Sequence, residues 1–228
     1  MNLPLGYRDR REAGRVLASV LMDRDLGRDP FVLGLPRGGV PVAAEVAEAV
    51  GAPLDVFIVR KIGLPEEPEL AMGSLASGGV LLLDRELIAR ARISPGEVEE
   101  QTQREWSELA RREELYRPGR PPLDLRRRNV VLIDDGLATG YSLRAAIAAL
   151  RRMGCARISA GVPVGAVETC AMIEREVDLL VCPRQPRHFR SVGEWYEDFS
   201  ATDDSEVIAC LARAGNPEAG IAGKGAGS

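Results

Sequence analysis

Six short, predominantly apolar runs punctuate this chain, at 31–35, 54–59, 80–83, 130–133, 158–164 and 179–182. A strand with one wet face alternates apolar and polar residues, whereas a run that is apolar nearly throughout is suited to burial on both faces. Between these runs lie segments of helical character. Residues 8–27 place Ala13, Val16, Leu17, Val20 and Leu21 on one face, and 40–50, 142–153, 166–176 and 203–213 also read as helices. Buried strands alternating with helices predict an α/β fold: a doubly wound, mostly parallel sheet with helices on both faces. Such sheets bind ligands beyond the carboxyl ends of their strands, near the point where strand order reverses. Functional residues are therefore sought immediately after strands.

Three segments stand apart from this alternation. Residues 61–79 are rich in glycine and proline, show no firm periodicity, and read as a mobile excursion. Ser94-Pro95-Gly96-Glu97 has the form of a capping box with proline at the first helical position, so a long polar helix is expected over about 94–116. Residues 214–228 are rich in glycine and alanine and are expected to form a disordered tail, leaving a single domain over 1–213. Gly154 is the expected stop of the helix that begins near Ser142.

The strand at 130–133 delivers Asp134 and Asp135 at its end, followed by Gly136-Leu137-Ala138-Thr139-Gly140-Tyr141-Ser142 and a helix. Backbone N–H groups in a small-residue turn at a helix N-terminus form an anion cradle. Thr139 and Ser142 add hydroxyl donors, and Gly140 permits a backbone geometry that a side chain would hinder. The two carboxylates repel a phosphate but suit sugar hydroxyls, or a Mg²⁺ that arrives with the substrate. A second cradle follows the strand at 31–35, where Arg37, Gly38 and Gly39 precede a helix and the guanidinium can fork onto phosphate oxygens. A third candidate, Arg60-Lys61, ends the run at 54–59. Of 30 basic residues only Lys61 and Lys224 are lysine, and an ammonium on a flexible stem can follow a charge that a rigid guanidinium cannot.

The thirteen residues 130–142 resemble the signature of the type I phosphoribosyltransferase family for 5-phosphoribosyl-1-pyrophosphate (PRPP): an apolar strand, two acids, small residues, Thr-Gly, then Ser or Thr. The resemblance implies that Leu137 to Ser142 bind the 5′-phosphate. It implies that Asp134 and Asp135 serve the ribose and Mg²⁺, and that Arg37, Gly38 and Gly39 form a pyrophosphate loop with a cis peptide at Pro36–Arg37. Arg60 and Lys61 would reach the pyrophosphate, and 62–79 would be a catalytic loop. A hood built from the chain ends would hold the acceptor. Relatives acting on hypoxanthine and guanine carry an aspartate where this chain has Ala138, which speaks against a 6-oxopurine. The helix at 94–116 is not part of the family's minimal core, and oligomerisation and lid packing are both open roles for it.

Four of the ten aromatic residues, Phe189, Trp195, Tyr196 and Phe199, cluster near the expected hood. Trp195 or Tyr196 could stack on an acceptor ring, or the group could simply pack the C-terminal segment onto the sheet. Arg184, Arg187, His188 and Arg190 form a basic cluster that is either a substrate contact or a solvated face, and Glu66, Glu67 and Glu69 are either acid/base candidates or solvated loop charge.

Composition removes several classes. The formal net charge of −4 argues against nucleic-acid binding through bulk charge. No apolar run is long enough to span a membrane, and residues 1–9 lack the apolar segment of a signal peptide, so a cytoplasmic location is expected. Cys155, Cys170, Cys182 and Cys210 form no Cys-x-x-Cys pair and are expected as reduced, structural thiols. His188 is the only histidine, and neither a Gly-x-Ser-x-Gly elbow nor a P-loop occurs, which disfavours a serine hydrolase or P-loop NTPase. Two functions remain from different classes. One is a phosphoribosyltransferase using PRPP, Mg²⁺ and a nitrogenous acceptor of nucleobase type, expected as a homodimer. The other is a regulator that binds PRPP or a nucleotide as a signal.

Overall fold

The structure, a computed structural model, describes residues 6–214. The expected tail beyond Ala214, with Lys224, lies outside the described residues, as do residues 1–5 of the N-terminal segment. In chain order the elements begin with α1 (Arg10–Leu21), β1 (Phe31–Gly34), α2 (Gly39–Val50), β2 (Leu54–Val56), β3 (Val59–Gly63), β4 (Ala71–Ala76) and β5 (Val80–Leu83). They continue with α3 (Arg85–Arg90), α4 (Pro95–Tyr116), β6 (Asn129–Ile133), α5 (Tyr141–Arg152), β7 (Arg157–Gly161), α6 (Val167–Glu174), β8 (Leu179–Val181) and α7 (Asp204–Arg213).

Five strands form one sheet in the order β2-β1-β6-β7-β8, with every neighbouring pair parallel. Helices cover both faces, so the fold is the expected doubly wound α/β type. Alternate residues of each central strand serve opposite layers. Val32, Val131 and Ile133 pack with α1, α2 and α7, while Phe31, Leu33, Val130 and Leu132 pack with α5 and α6. Strand order reverses between β1 and β6: the chain leaves β1 for β2 on one side and returns to β6 on the other. The carboxyl ends of β1 and β6 are therefore the predicted ligand crevice.

One expected strand divides. Residues 54–59 read as a single run, but Leu54–Val56 belongs to the parallel sheet and Val59 opens a second, three-stranded antiparallel sheet in the order β3-β4-β5. Phe57 and Ile58 at the crossing are fully buried, so apolar continuity hides the change of sheet. The strand expected at 80–83 joins this second sheet, not the parallel one. The stretch 61–79, expected to lack regular structure, contributes most of β3 and all of β4. Ile62, Met72 and Leu75 are buried in the main core, which gives the sheet its inner face. Between β4 and β5, Gly78 and Gly79 adopt φ of +79° and +78°, a left-handed backbone that closes the turn at no steric cost for glycine.

The helix expected at 94–116 is α4, and both arms of its capping box are present. Glu97 N donates to Ser94 Oγ at 3.3 Å, and Ser94 N donates to Glu97 Oε2 at 2.8 Å. Its buried residues, Thr102, Leu109 and Tyr116, recur every seventh position and mark one stripe against the core. The short helix α3, capped by Asp84 and burying no residue, has no apolar periodicity and escapes the sequence reading. All four cysteines are free thiols.

Candidate functional site

At the end of β6, Asp134 is partly buried between layers, and its Oδ1 accepts from Asp135 N at 2.9 Å. Burial, and next the adjacent Asp135 charge, push the Asp134 carboxyl well above the usual carboxylate range, with the Asp135 amide and Arg10 pulling the other way. Burial also raises Asp135, opposed chiefly by Arg10, whose Nε donates to Asp135 Oδ2 at 2.9 Å. Arg10 stands at the start of α1 with its side chain 12% exposed. It also lies over the Phe199 ring at 4.0 Å and donates to the Ser200 carbonyl at 2.7 Å. One guanidinium thus links the acid pair to the C-terminal segment.

The turn after the acids is held from behind. Leu137 is buried, its N–H donates to the Val164 carbonyl and its own carbonyl accepts from Ala166, so it anchors the loop with its side chain turned inward. Thr169 Oγ1 donates to the Ala138 carbonyl at 2.7 Å. Gly140 has φ +76°, and a Cβ there would meet Thr169 Cγ2 at 2.8 Å. With these ties made, the amides of Ala138, Thr139 and Gly140 have no hydrogen-bond partner among the described residues, and the first-turn amides of α5 lie beside them. The result is a cup of about 170 Å³ lined by Asp134, Gly136 to Leu143 and Val192, with Ala138, Thr139 and Ser142 exposed. Tyr141 Oη donates to the Gly73 carbonyl of β4 at 2.8 Å, tying the cup to the antiparallel sheet, and burial pushes its hydroxyl up to about 12.

The loop after β1 packs directly onto the acids. A Cβ on Gly38 would collide with Asp135 Oδ2, and one on Gly39 would lie 2.9 Å from Asp134 Cα and 2.8 Å from the Ile133 carbonyl. Only glycine allows this approach. Leu35 N donates to the Ile133 carbonyl at 2.9 Å, which sets the register of the two loops. The Pro36–Arg37 peptide is cis, at the position named from the resemblance. Arg37 Nη1 lies 3.7 Å from Asp204 Oδ1. The other two cations sit on carboxylates of their own region. Arg60 Nε donates to Glu105 Oε2 of α4 at 2.8 Å, and Lys61 Nζ donates to Glu69 Oε2 at 3.0 Å and to the Glu69 carbonyl at 3.1 Å. Lys61 faces Ser74 across the β3–β4 ladder, one residue from the Gly73 held by Tyr141.

The segment before α1 meets the segment before α7 beside the acid pair. Tyr7 N donates to the Trp195 carbonyl and Glu197 N to the Tyr7 carbonyl, a parallel bridge between the first and last segments. Tyr196 is 7% exposed, its ring packs between Tyr7 and Phe199, and its hydroxyl donates to the Asp135 carbonyl at 2.6 Å. A ring so enclosed offers no open face for stacking, and its geometry makes it a support of the acid loop. Trp195 is half-buried in the same cluster. Val192 is the hood residue nearest the cup: a Cβ on Gly136 would collide with its side chain.

Arg10, Thr169, Val192 and the supporting role of Tyr196 escape sequence reading. Arg10 and Asp135 are 125 positions apart, and no local pattern links them. Among the described residues no three His, Cys, Asp or Glu side chains group as a metal cage. Asp134 and Asp135 offer the one or two carboxylates that Mg²⁺ takes when substrate oxygens and water complete its shell.

The chain matches the phosphoribosyl transferase domain over residues 9–182. It is 40% identical over 208 residues to Mycobacterium tuberculosis proteins, from strains CDC 1551 and H37Rv, that carry the provisional name phosphoribosyl transferase. The alignment covers 91% of this chain and 47% of each relative, so the chain spans about half the length of these relatives. The crystal structure of TT1426 from Thermus thermophilus superposes with a TM-score of 0.81 at 39% identity, covering 92% of this chain and all of that one. With the cup, the acid pair and the cis-peptide loop gathered at the β1–β6 switch point, the chain belongs to the phosphoribosyl transferase domain family.

Proposed function

We propose that this chain is a phosphoribosyltransferase that moves the 5-phosphoribosyl group of PRPP to a ring nitrogen of a nucleobase-type acceptor and releases pyrophosphate. The observation that carries this reading is the direct packing of the Arg37-Gly38-Gly39 loop on the acid pair that opens the phosphate cup. PRPP carries its phosphate and pyrophosphate on opposite ends of one ribose, and two amide-lined loops separated by two carboxylates match that order. The cup amides and the Thr139 and Ser142 hydroxyls receive the 5′-phosphate. Asp134 and Asp135 accept from ribose hydroxyls. Arg37 and the Gly38 N–H take pyrophosphate oxygens, the Gly39 N–H being held by the Leu35 carbonyl. Asp134 and Asp135 are also the residues that would hold Mg²⁺, which neutralises pyrophosphate charge when bound.

As the bond from C1 to pyrophosphate breaks, the ribose acquires oxocarbenium-like positive charge. In its ionised form the acid pair stabilises that charge; burial opposes ionisation, and a bound Mg²⁺ and the cationic ribose would favour it. Lys61 leaves Glu69 and meets the departing pyrophosphate. Ala138 leaves no carboxylate at that point of the cup rim, so hypoxanthine and guanine are poor acceptors. A screen of bases for pyrophosphate release from PRPP with Mg²⁺ tests the assignment. Turnover that disappears on chelation supports it. Tight PRPP binding without turnover on any base favours the regulatory reading, and absence of PRPP binding defeats the transferase and leaves only a regulator that senses a nucleotide.

A further inference from the structure

Helix α4 lies outside the parallel sheet, yet two of the three candidate pyrophosphate cations are held from it. Arg60 is bonded to Glu105 at its middle. At its last turn, Tyr116, 3% exposed, donates its hydroxyl to Asp204 Oδ1 at 2.5 Å. That same oxygen is the one 3.7 Å from Arg37 Nη1. Asp204 occupies the first turn of α7, where a carboxylate is favoured by the helix dipole. The N-cap Asp203 is also lowered by the Arg37 charge, after the larger effects of its bonds to Ser205 and Glu206. Arg37 therefore faces a carboxylate of α7 that is oriented by α4.

The frame behind this contact is rigid. Residue 117, directly after Tyr116, is a buried arginine whose Nε donates to both Asp55 oxygens at 3.1 Å, and Asp55 is a buried residue of β2. The end of α4 is thereby pinned to the strand beside β1, and β1 delivers Arg37. A long arginine that is free in solution loses rotamer freedom when it binds, and a neighbour that orients it beforehand reduces that loss. A pair at 3.7 Å with Arg37 about half exposed occupies one guanidinium nitrogen and leaves the others for a ligand.

We infer that Tyr116 and Asp204 are positioning residues for Arg37, and that the 95–116 helix serves to pre-orient the corner for a pyrophosphate group. This rests on the phosphoribosyl reading above. The test is a double-mutant cycle by calorimetry, with PRPP and Mg²⁺ as the probe. Asp204→Asn is expected to weaken binding by about 3- to 5-fold, the range of a partly exposed ion pair. Tyr116→Phe should cost about 2-fold, within the reach of one lost hydroxyl contact. Arg37→Ala should cost about 30-fold, as for a charge-assisted bond. In the Arg37→Ala background Asp204→Asn should have no further effect, because coupled residues are not additive. Asp204→Glu should recover part of the loss. Equal cost of Asp204→Asn with and without Arg37 overturns the inference and leaves the phosphoribosyl reading intact, as does tighter binding by Asp204→Asn, which would make the carboxylate a competitor. Failure of the unaltered protein to bind PRPP overturns both.

Discussion

In the β6–α5 region, nearly every group that would touch a phosphate comes from nine consecutive residues, 134–142. In the antiparallel sheet and α4, each candidate cation is tied to a side-chain carboxylate of the same region: Arg60 to Glu105, Lys61 to Glu69. The two regions meet through a hydrogen bond from Tyr141 to Gly73 and through apolar packing of Val59, Ala76 and Val80 against α5. The difference is between a site whose donors are fixed by backbone and one whose charges are parked on exchangeable partners. Backbone amides at a strand-to-helix turn need no rearrangement to receive an anion. A cation already in an ion pair must trade partners, so its contribution belongs to a later stage of the reaction.

That contrast breaks most easily at the acid pair. Asp134→Asn with Asp135→Asn should weaken Mg²⁺-dependent PRPP binding by more than about 100-fold, since each carboxylate makes charge-assisted contacts. Calorimetry showing unchanged affinity in a folded double variant would remove the pair from the site. Lys61→Ala should instead lower kcat and kcat/KM together, by roughly 30- to 1000-fold, corresponding to about 2–4 kcal/mol of transition-state stabilisation. Lys61→Arg should recover only part, because the wider fork cannot occupy the same position. If Lys61→Ala raises only KM for PRPP, the lysine acts in ground-state binding and the two regions do not differ in timing.

The same contrast decides what can be read from sequence. The cup is legible at 130–142 because strand, acids, glycine and helix start are local in sequence. The parallel sheet is legible because its strands are buried on both faces. The antiparallel sheet is within reach: Met72 to Leu83 carries apolar residues on either side of Ser77-Gly78-Gly79, a turn signature, yet the glycines and prolines of 61–79 read as a mobile excursion. Asp55 inside an apolar run also signals a buried partner, although nothing local identifies Arg117. What stays hidden is side-chain pairing across the chain. Arg10 with Asp135, Arg37 with Asp204 and Tyr196 with the Asp135 carbonyl each require the fold before they can be seen.

Arg10 sits between the two regimes, a side chain that serves a backbone-built loop. Arg10→Gln removes the main influence that lowers Asp135 and leaves that carboxyl to the upward push of burial. The variant should therefore bind PRPP about 10-fold more weakly near neutral pH, since the ligand needs the ionised acid. Raising the pH should return part of the affinity, because the carboxyl then ionises without help. Isothermal titration across a pH series checks this. A constant deficit at every pH would assign Arg10 a purely structural role through Phe199 and Ser200.

The smallest effect expected has the opposite sign. Asp134 is held above its ordinary value by burial and by Asp135, so the folded protein binds its proton more tightly than the unfolded chain does. A carboxyl raised in the folded state contributes stability that is fully present below the unfolded value, near 4, and is lost as pH rises through the folded value. At neutral pH the acid is thus a burden on the fold, kept where function needs it. Asp134→Asn removes the charge yet keeps an oxygen that can accept from Asp135 N, and it leaves the Arg10–Asp135 bond in place. Its Tm should rise at pH 7 by a few degrees, each kcal/mol being worth roughly 2–4 °C for a chain of this size. The gain should vanish at about pH 3, below the unfolded value, where the acid is protonated in the folded and unfolded states alike. Asp135→Asn should show no such gain, because it strands the Arg10 guanidinium, 12% exposed, without its carboxylate. Calorimetric scans of both variants at the two pH values make the comparison. Equal melting of Asp134→Asn and the unaltered protein at pH 7 would mean that the fold does not hold the Asp134 carboxyl above its unfolded value, since an acid kept protonated in the fold would still be a cost against an unfolded chain that ionises.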